Sequence, residues 1–384
     1  MRPELKPEKK PESKPAASPE PRVSDPAAIA PALERWFETN RRPFPWRPAR
    51  LATERDPWRA LVSEIMLQQT QAARVAERFD AFIARFPSAR AMVGAGVDAV
   101  LAEWSGLGYY RRARSLFACA QAITEHHAGH VPRTLEGLLS LPGVGPYTAG
   151  AVASIALGQR VPIADGNVAR VTLRLAAHNA PQDDPAVRRW VWQQAQRLVD
   201  AAGTPALLNE ALMELGATVC TPRTPACASC PIANACRSHA DGRTGEIPRP
   251  KRPPRKRPLH CTTLLLIDAR GRRLVEQRSG AGLWSGLWQA PTLESPDAPP
   301  EPGGLLDAMG RDADLAHLAS FAHATTHRDV RFEVFAAELR GRAPRGRCWR
   351  SPAEIGRLAL ATPQRRILLE LDPSAAGLFA PPPR

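Results

Sequence analysis

Residues 141–170, LPGVGPYTAGAVASIALGQRVPIADGNVAR, constrain the fold more than any other stretch, because their turn and cap residues spell out a hairpin of helices followed by a carboxylate. Thr134 suits the cap of a short helix carrying Leu135, Leu138 and Leu139, Gly143 and Gly145 allow a tight reversal, and Pro146 fits the first turn of a second helix. Gly158 is placed to end that helix. A Gly-Val-Gly turn feeding a helix start leaves backbone N–H groups directed outward, which suits a phosphate or is simply a turn. Asp165 then precedes a helix through Arg170, Leu173 and Leu175, as an N-cap, as a chemical group, or as both.

Upstream, residues 1–26 hold seven prolines, mixed Lys and Glu and no aromatic residue, the composition of a disordered tail. Ile29, Leu33, Trp36 and Phe37 mark one face of a first helix, and the proline-rich loop after it carries Trp46 and Arg47. That Trp either stacks on a base or folds over the domain edge. Asp56 and Pro57 cap a helix whose buried stripe is Trp58, Leu61, Val62 and Ile65, with Glu64 at the edge of the stripe. Gln68, Gln69 and Gln71 follow at its end, where amides can bond to bases and a half-buried carboxyl can hold a raised pKa. Amphipathic helices continue over residues 79–86 and 97–104, and then GLGYYRRARSL sets two tyrosines between glycines and three arginines. Rings interleaved with basic residues fit a wedge into a base stack, while the alternative is a helix start with Tyr109 packed inward.

Two further helices begin at Asp184-Pro185, with Trp190, and at Thr204-Pro205, with Glu210. The run Cys220-x6-Cys227-x2-Cys230-x5-Cys236 is too compact for two zinc knuckles and suits one cuboidal iron–sulfur cluster, with zinc as the alternative. Four cysteines so close together favour metal ligation in a reducing compartment over disulfides, and Cys119, Cys261 and Cys348 read as inert. A formal net charge of +14 favours a polyanionic partner. No signal-peptide pattern and no long apolar run is present, so a cytoplasmic protein that binds no membrane is expected. Residues 243–258, with seven Lys or Arg and five Pro, form an extended basic linker. Beyond it CTTLLLID and RRLVEQR read as a β-hairpin around Arg270 and Gly271, VRFEVFAAEL as a further strand, and Thr362-Pro363 as the start of a last helix through Leu369.

Taken in order, SEIMLQQTQ, GLGYYRRAR, LPGVGPYTAG, ADGNVAR and the cysteine run resemble the MutY family of adenine DNA glycosylases, within the helix-hairpin-helix iron–sulfur glycosylase superfamily, over about residues 27–371. The resemblance implies a mainly α protein. Its parts are a tail at 1–26, an all-helical glycosylase domain at 27–242 with a 4Fe–4S loop at 220–236, the linker at 243–258, an α+β MutT/Nudix-like domain at 259–371 and a tail at 372–384. It also implies a monomer acting on duplex DNA with adenine opposite 8-oxoguanine or guanine, in base excision repair, in the bacterial cytoplasm at the nucleoid. Replication and repair partners are not specified.

Cleaving the N-glycosidic bond of deoxyadenosine makes an anionic leaving base and a cation-like sugar, so a proton donor and a negative charge are needed. By resemblance Glu64 protonates the adenine ring and then handles the water, and Asp165 stabilises the oxocarbenium ion. Tyr147 and Asn167 resemble residues that touch the catalytic Asp and the sugar, and Trp46, Arg47 and Glu210 those around the flipped adenine. Gln69 and Tyr109 look like the intercalating pair, and Gly143 and Gly145 like the strand's phosphate anchor. Related endonuclease III enzymes carry at the position of Tyr147 a Lys that forms a Schiff base; a phenol cannot, so no efficient lyase is expected. The second domain lacks an REx2EE-type cluster between Gly282 and Asp314, which implies 8-oxoguanine recognition and not hydrolysis. The family's Phe-Ser-His loop reads here Thr325-Thr326-His327. The rivals are an endonuclease III-like pyrimidine glycosylase/lyase and a non-catalytic iron–sulfur DNA-binding protein.

Overall fold

The structure is a computed structural model that describes residues 21–48, 55–250, 255–279 and 282–376. Most of the expected tails at 1–26 and 372–384, and part of the linker at 243–258, lie outside the described residues. In chain order the helices are α1 (Pro26–Asn40), α2 (Pro57–Leu67), α3 (Ala72–Arg85), α4 (Ala89–Ala95), α5 (Val97–Glu103), α6 (Arg111–His126), α7 (Leu135–Leu139), α8 (Pro146–Ala151), α9 (Gly166–Leu175), α10 (Pro185–Asp200), α11 (Pro205–Thr218) and α12 (Arg237–Ala240). There follow β1 (Arg257–Ile267), β2 (Arg273–Gln277), β3 (Trp288–Gln289), β4 (Thr292–Ser295), α13 (Gly303–Ala308), β5 (Ala316–Ala324), β6 (Arg328–Glu338), β7 (Arg347–Arg350), α14 (Pro352–Ile355) and α15 (Thr362–Arg365). Among the described residues no helix is long and apolar enough to cross a membrane.

The chain divides into two compact units. One draws its described residues from Met1–Thr39, Ala164–Gly203 and Ala211–Pro250, the other from Asn40–Ile163, Thr204–Glu210 and Lys251–Arg384. In the first, Asp184 caps α10 by accepting from the N–H groups of Ala186 and Val187, as its position before Pro185 predicts. Order begins earlier than the expected tail allows: Val23 is buried and its N–H donates to Gln194 Oε1 at 3.2 Å, while Trp190 Nε1 donates to Pro21 O at 2.9 Å. Composition argues against order in such a segment, but here a Trp and a Gln of α10 satisfy its backbone.

In the second unit α2 to α8 enclose one core. Val75, Phe79, Phe82 and Ile83 form the buried stripe of α3, and Trp104 is fully buried with its Nε1 donating to Gly108 O at 3.0 Å. The same unit holds the sheet, ordered β3-β2-β1-β6-β5, with β4 also on β1 and β7 on β2. β1 and β6 pair in parallel from Arg257–Arg328 to Ile267–Glu338. Every β1 residue from Cys261 to Ile267 is buried, as a strand covered on both faces requires. Alternation assigns Cys261, Leu265 and Ile267 to one core and Leu264 and Leu266 to another. The β1–β2 turn forms as expected around Arg270 and Gly271, with Asp268 Oδ1 accepting from the N–H groups of Arg270 and Arg272.

Three features differ from the sequence reading. β5 (AHLASFAHA) is a full strand pairing with β6, but its Ala, His and Ser content carries little strand signal. The hairpin's second helix, α8, passes into a π-helical turn over Val152–Ala156 before Gly158, at φ +69°, ends it. Of the two turn glycines only Gly143 uses the left-handed region, at φ +75°; Gly145 has an ordinary φ of −90° and serves as the cap residue of α8.

Asp56→Ala removes the side chain that accepts from the N–H groups of Trp58 and Arg59 at the start of α2. It should destabilise the protein by about 1 kcal/mol and lower the melting temperature by about 2–4 °C. An unchanged melting curve would show that this cap does not hold α2.

Candidate active site

The cap and Pro57 start α2 in register with the core, and the stripe Trp58, Leu61, Val62 and Ile65 is buried as expected. Glu64 is not at the edge of that stripe but inside it, 7 % exposed. A carboxyl so far from water is there for a reason other than solubility. α2 stops at Leu67; Gln68 turns extended and its Nε2 donates to Thr148 Oγ1 at 3.2 Å, and Gln69 takes φ +56°.

Asp165 is both the N-cap of α9 and the centre of a polar chain. Its Oδ1 accepts from Val168 N–H at 2.7 Å and its Oδ2 from Asn167 Nδ2 at 2.9 Å. Asn167 Oδ1 in turn accepts from Arg170 Nη2 at 2.8 Å, and Arg170 continues to Gly216 O and Cys220 O, both at 2.7 Å. Burial pushes the Asp165 carboxyl above the usual range, and the Val168 N–H, the Asn167 amide and the Arg170 charge pull against it. α11 approaches this chain closely: a Cβ on Gly216 would lie 2.5 Å from Asn167 Cβ.

Glu210 sits between two guanidiniums, Arg47 Nε at 3.1 Å and Arg55 Nη2 at 2.5 Å, all three side chains under 10 % exposed. Removing either arginine would leave a buried charge short of a partner, a costly state. Trp46 lies on Phe44, with ring centroids 4.6 Å apart, and meets Phe79 edge-on at 5.7 Å. Tyr147 is half-buried in the first turn of α8. Gly143 presses on α6, where a Cβ would meet Ser115 Cβ at 2.6 Å.

Tyr109 is 45 % exposed at φ +47° and not packed inward; Tyr110 is the buried member of the pair, its hydroxyl donating to Leu360 O at 2.7 Å. The Tyr109 hydroxyl meets Thr326 Oγ1, on the exposed β5–β6 turn. Thr325 shapes that turn, its N–H donating to Arg328 O and its Oγ1 accepting from the Arg328 N–H, and His327 beside it is exposed.

Cys220, Cys227, Cys230 and Cys236 line one cavity together with Arg174 and His239. Arg174, buried in α9, donates to Cys220 Sγ at 3.3 Å and to the carbonyls of Thr221, Pro222 and Ile247. Among the described residues no three His, Cys, Asp or Glu converge as ligands of a single metal ion do. Burial pushes Cys119 and Cys261 up to about 12, in keeping with inert thiols.

Arg55, Arg170 and Arg174 were not anticipated. The signal for the last two was available: arginines at i and i+4 on an otherwise apolar helix face are seldom there to meet solvent.

Against known proteins, residues 62–197 match the HhH-GPD superfamily base excision DNA repair protein family and residues 262–370 the NUDIX domain. The adenine DNA glycosylase of Homo sapiens is 33 % identical over 405 residues, spanning 90 % of this chain and 74 % of that protein. The chain belongs to the adenine DNA glycosylase family. A second adenine DNA glycosylase, from Mycobacterium tuberculosis (strain ATCC 25618 / H37Rv), is 43 % identical over 223 residues, 58 % of this chain and 72 % of that one. Among solved structures a thermostable thymine-DNA glycosylase is 28 % identical with a TM-score of 0.51, covering 56 % of this chain and 97 % of that one. This adenine DNA glycosylase therefore combines a helix-hairpin-helix glycosylase domain with a Nudix-like domain and acts in base excision repair.

In this adenine DNA glycosylase, Gly216→Ala should force Asn167 off Asp165 and slow adenine removal by about 100-fold. Circular dichroism should stay native. A rate equal to the parent's would show that the approach of α11 to Asn167 has no bearing on the site.

Proposed function

We propose that this adenine DNA glycosylase hydrolyses the N-glycosidic bond of adenine mispaired with 8-oxoguanine or guanine in duplex DNA, without efficient lyase activity. The observation that carries the mispair reading is the contact of Tyr109 with Thr326, which joins the proposed stacking wedge to the turn resembling the 8-oxoguanine sensor. Tyr147, where a lyase needs an amine, supports the absence of strand cleavage.

Glu64 donates a proton to the adenine ring as the bond breaks and then orients the water, a role that its burial supports. Asp165, with each oxygen already held by one donor, supplies fixed negative charge as the sugar becomes cationic. Asn167 and Tyr147 act around that carboxylate and the sugar. Arg47, Trp46 and Glu210 receive the flipped adenine, with Arg55 holding the far oxygen of Glu210. Gln69 and Tyr109 enter the stack to offset the few kcal/mol that extrusion costs. The N–H groups at Gly143 and Gly145 hold the adenine strand's phosphate, and Thr326 and His327 meet the oxidised guanine. The protein acts as a monomer on nucleoid DNA in the bacterial cytoplasm.

The four cysteines would hold a 4Fe–4S cluster. Their donor set fits it: four thiols around a common cavity, with a buried arginine cation directed at one sulfur. When bound, the cluster supplies a structural cross-link for the segment that Arg170 and Arg174 also tie to α9. Metal analysis of the purified protein is expected to give about four iron and four sulfide per chain, and Cys230→Ser to lose them. Zinc at about one per chain would replace the cluster by the alternative reading.

The deciding experiment uses duplexes with a single adenine opposite 8-oxoguanine, guanine or cytosine. Cleavage at adenine only after alkali, opposite 8-oxoguanine and guanine but not cytosine, is expected. Strand cleavage without alkali, or efficient borohydride trapping, would make the protein a lyase, and binding without cleavage would make it a non-catalytic binder. Glu64→Gln should bind normally and lose about 10²-fold or more in single-turnover rate; excision at the parental rate would remove Glu64 from the mechanism.

A further inference from the structure

Arg112 is the second residue of α6, yet its side chain does not leave for solvent; it runs back beneath two loops and is 8 % exposed. Nη1 donates to Ile65 O at 3.0 Å and Met66 O at 2.8 Å, carbonyls in the last turn of α2. Nη2 donates to Thr70 Oγ1 at 2.8 Å, in the turn that follows Gln69, and to Leu107 O at 3.1 Å and Gly108 O at 3.2 Å, in the loop before Tyr109. The guanidinium carbon lies 5.3 Å from the centre of the Trp104 ring and 5.5 Å from that of Tyr109. One cation therefore joins the end of the Glu64 helix, the Gln69 turn and the Tyr109 loop.

The two loops need such a joint. Gln69 and Tyr109 both stand in the left-handed region, at φ +56° and +47°, without being glycine. Backbone of that kind persists only where its surroundings over-determine it, and it concentrates at functional sites. Burying a guanidinium is itself expensive unless its donors are met. Burial pulls Arg112 down to about 10, so it remains a cation at neutral pH. A core position serving stability alone is better filled by an apolar side chain; a planar fork with donors on two nitrogens is needed where separate segments must be held at a fixed spacing.

We propose that Arg112 is a positioning residue for base extrusion: by joining the Gln69 turn to the Tyr109 loop it sets the spacing at which both side chains enter the base stack together. The inference rests on the reading of Gln69 and Tyr109 as the stacking pair. Arg112→Lys keeps the charge but replaces the fork with a point donor that cannot span both loops. Thr70→Val removes one acceptor of Arg112 in the Gln69 turn, together with that hydroxyl's own long bond to Leu107 O, and leaves Arg112 in place.

The test uses the full chain with an adenine duplex opposite 8-oxoguanine for the excision rate and two binding duplexes, one carrying 2-aminopurine in place of the target adenine, the other an abasic analogue at that position, which has no base to unstack. Arg112→Lys should bind the abasic duplex within about 3-fold of the parent while losing most of the 2-aminopurine fluorescence rise and about 10- to 100-fold of the single-turnover excision rate. Thr70→Val should show the same partition at about 3- to 10-fold. Equal weakening on both duplexes, or no change on either, would reduce Arg112 to a stabilising residue and overturn the proposal. Should Arg112→Lys fail to fold, Thr70→Val decides by the same criterion. A parent protein that leaves adenine opposite 8-oxoguanine intact would overturn the proposed function instead.

Discussion

Backbone carbonyls at helix ends and in neighbouring loops are met here by buried guanidiniums in both units. A helix leaves its last carbonyls without intrahelical partners, and a side chain that stops short in the interior must find them donors. Arg170 and Arg174 on α9 reach carbonyls at residues 216, 220, 221, 222 and 247. Arg112 on α6 does the same for the end of α2 and two loops. An apolar core fixes volume but tolerates sliding; a fork of directed donors fixes distance as well. Side chains that must be aimed, such as Asp165 through Asn167 or Tyr109 over Arg112, are attached to those forks.

The same logic accounts for where the functional candidates lie. Asp165 is an N-cap, Gln69 follows the end of α2, Tyr109 precedes α6 and Gly145 caps α8. In the middle of a helix the backbone N–H and C=O groups are already paired with one another. At a terminus the spare N–H and C=O groups can hold a polar side chain in one orientation. Glu64 is the exception, a mid-helix carboxyl on the buried stripe, where desolvation is costly.

Much of this is legible in the sequence. Caps are local chemistry, so Asp56, Thr134, Asp165 and Asp184 could be read from their following residues, and each accepts the expected backbone bonds. Amphipathic stripes are periodic and were equally plain. What escaped was long-range or weakly patterned. Arg55 finds Glu210, 155 residues away, and nothing in either neighbourhood announces the other. β5 is built from residues with little strand preference and exists because β6 offers it an edge. The inward turn of Tyr110 and outward turn of Tyr109 depend on a left-handed backbone that two adjacent identical residues cannot reveal.

Asp165 poses the sharpest physical question. Burial raises its pKa, which by itself favours the neutral acid, whereas its proposed role requires the carboxylate. Four interactions already oppose burial: the Val168 N–H, the Asn167 side-chain amide, the Asn167 N–H and the Arg170 charge behind them. In the proposed reaction the substrate adds another, because a sugar turning cationic beside the carboxyl would favour its ionised form most strongly at the transition state. A carboxylate left slightly uncomfortable by burial gains more from that charge than a well-hydrated one would, and a gain confined to the transition state is what lowers a barrier. On this account the Asn167–Arg170 chain must not satisfy Asp165 too well. In the proposed mechanism its few donors hold the group still while leaving its charge to be completed by the substrate.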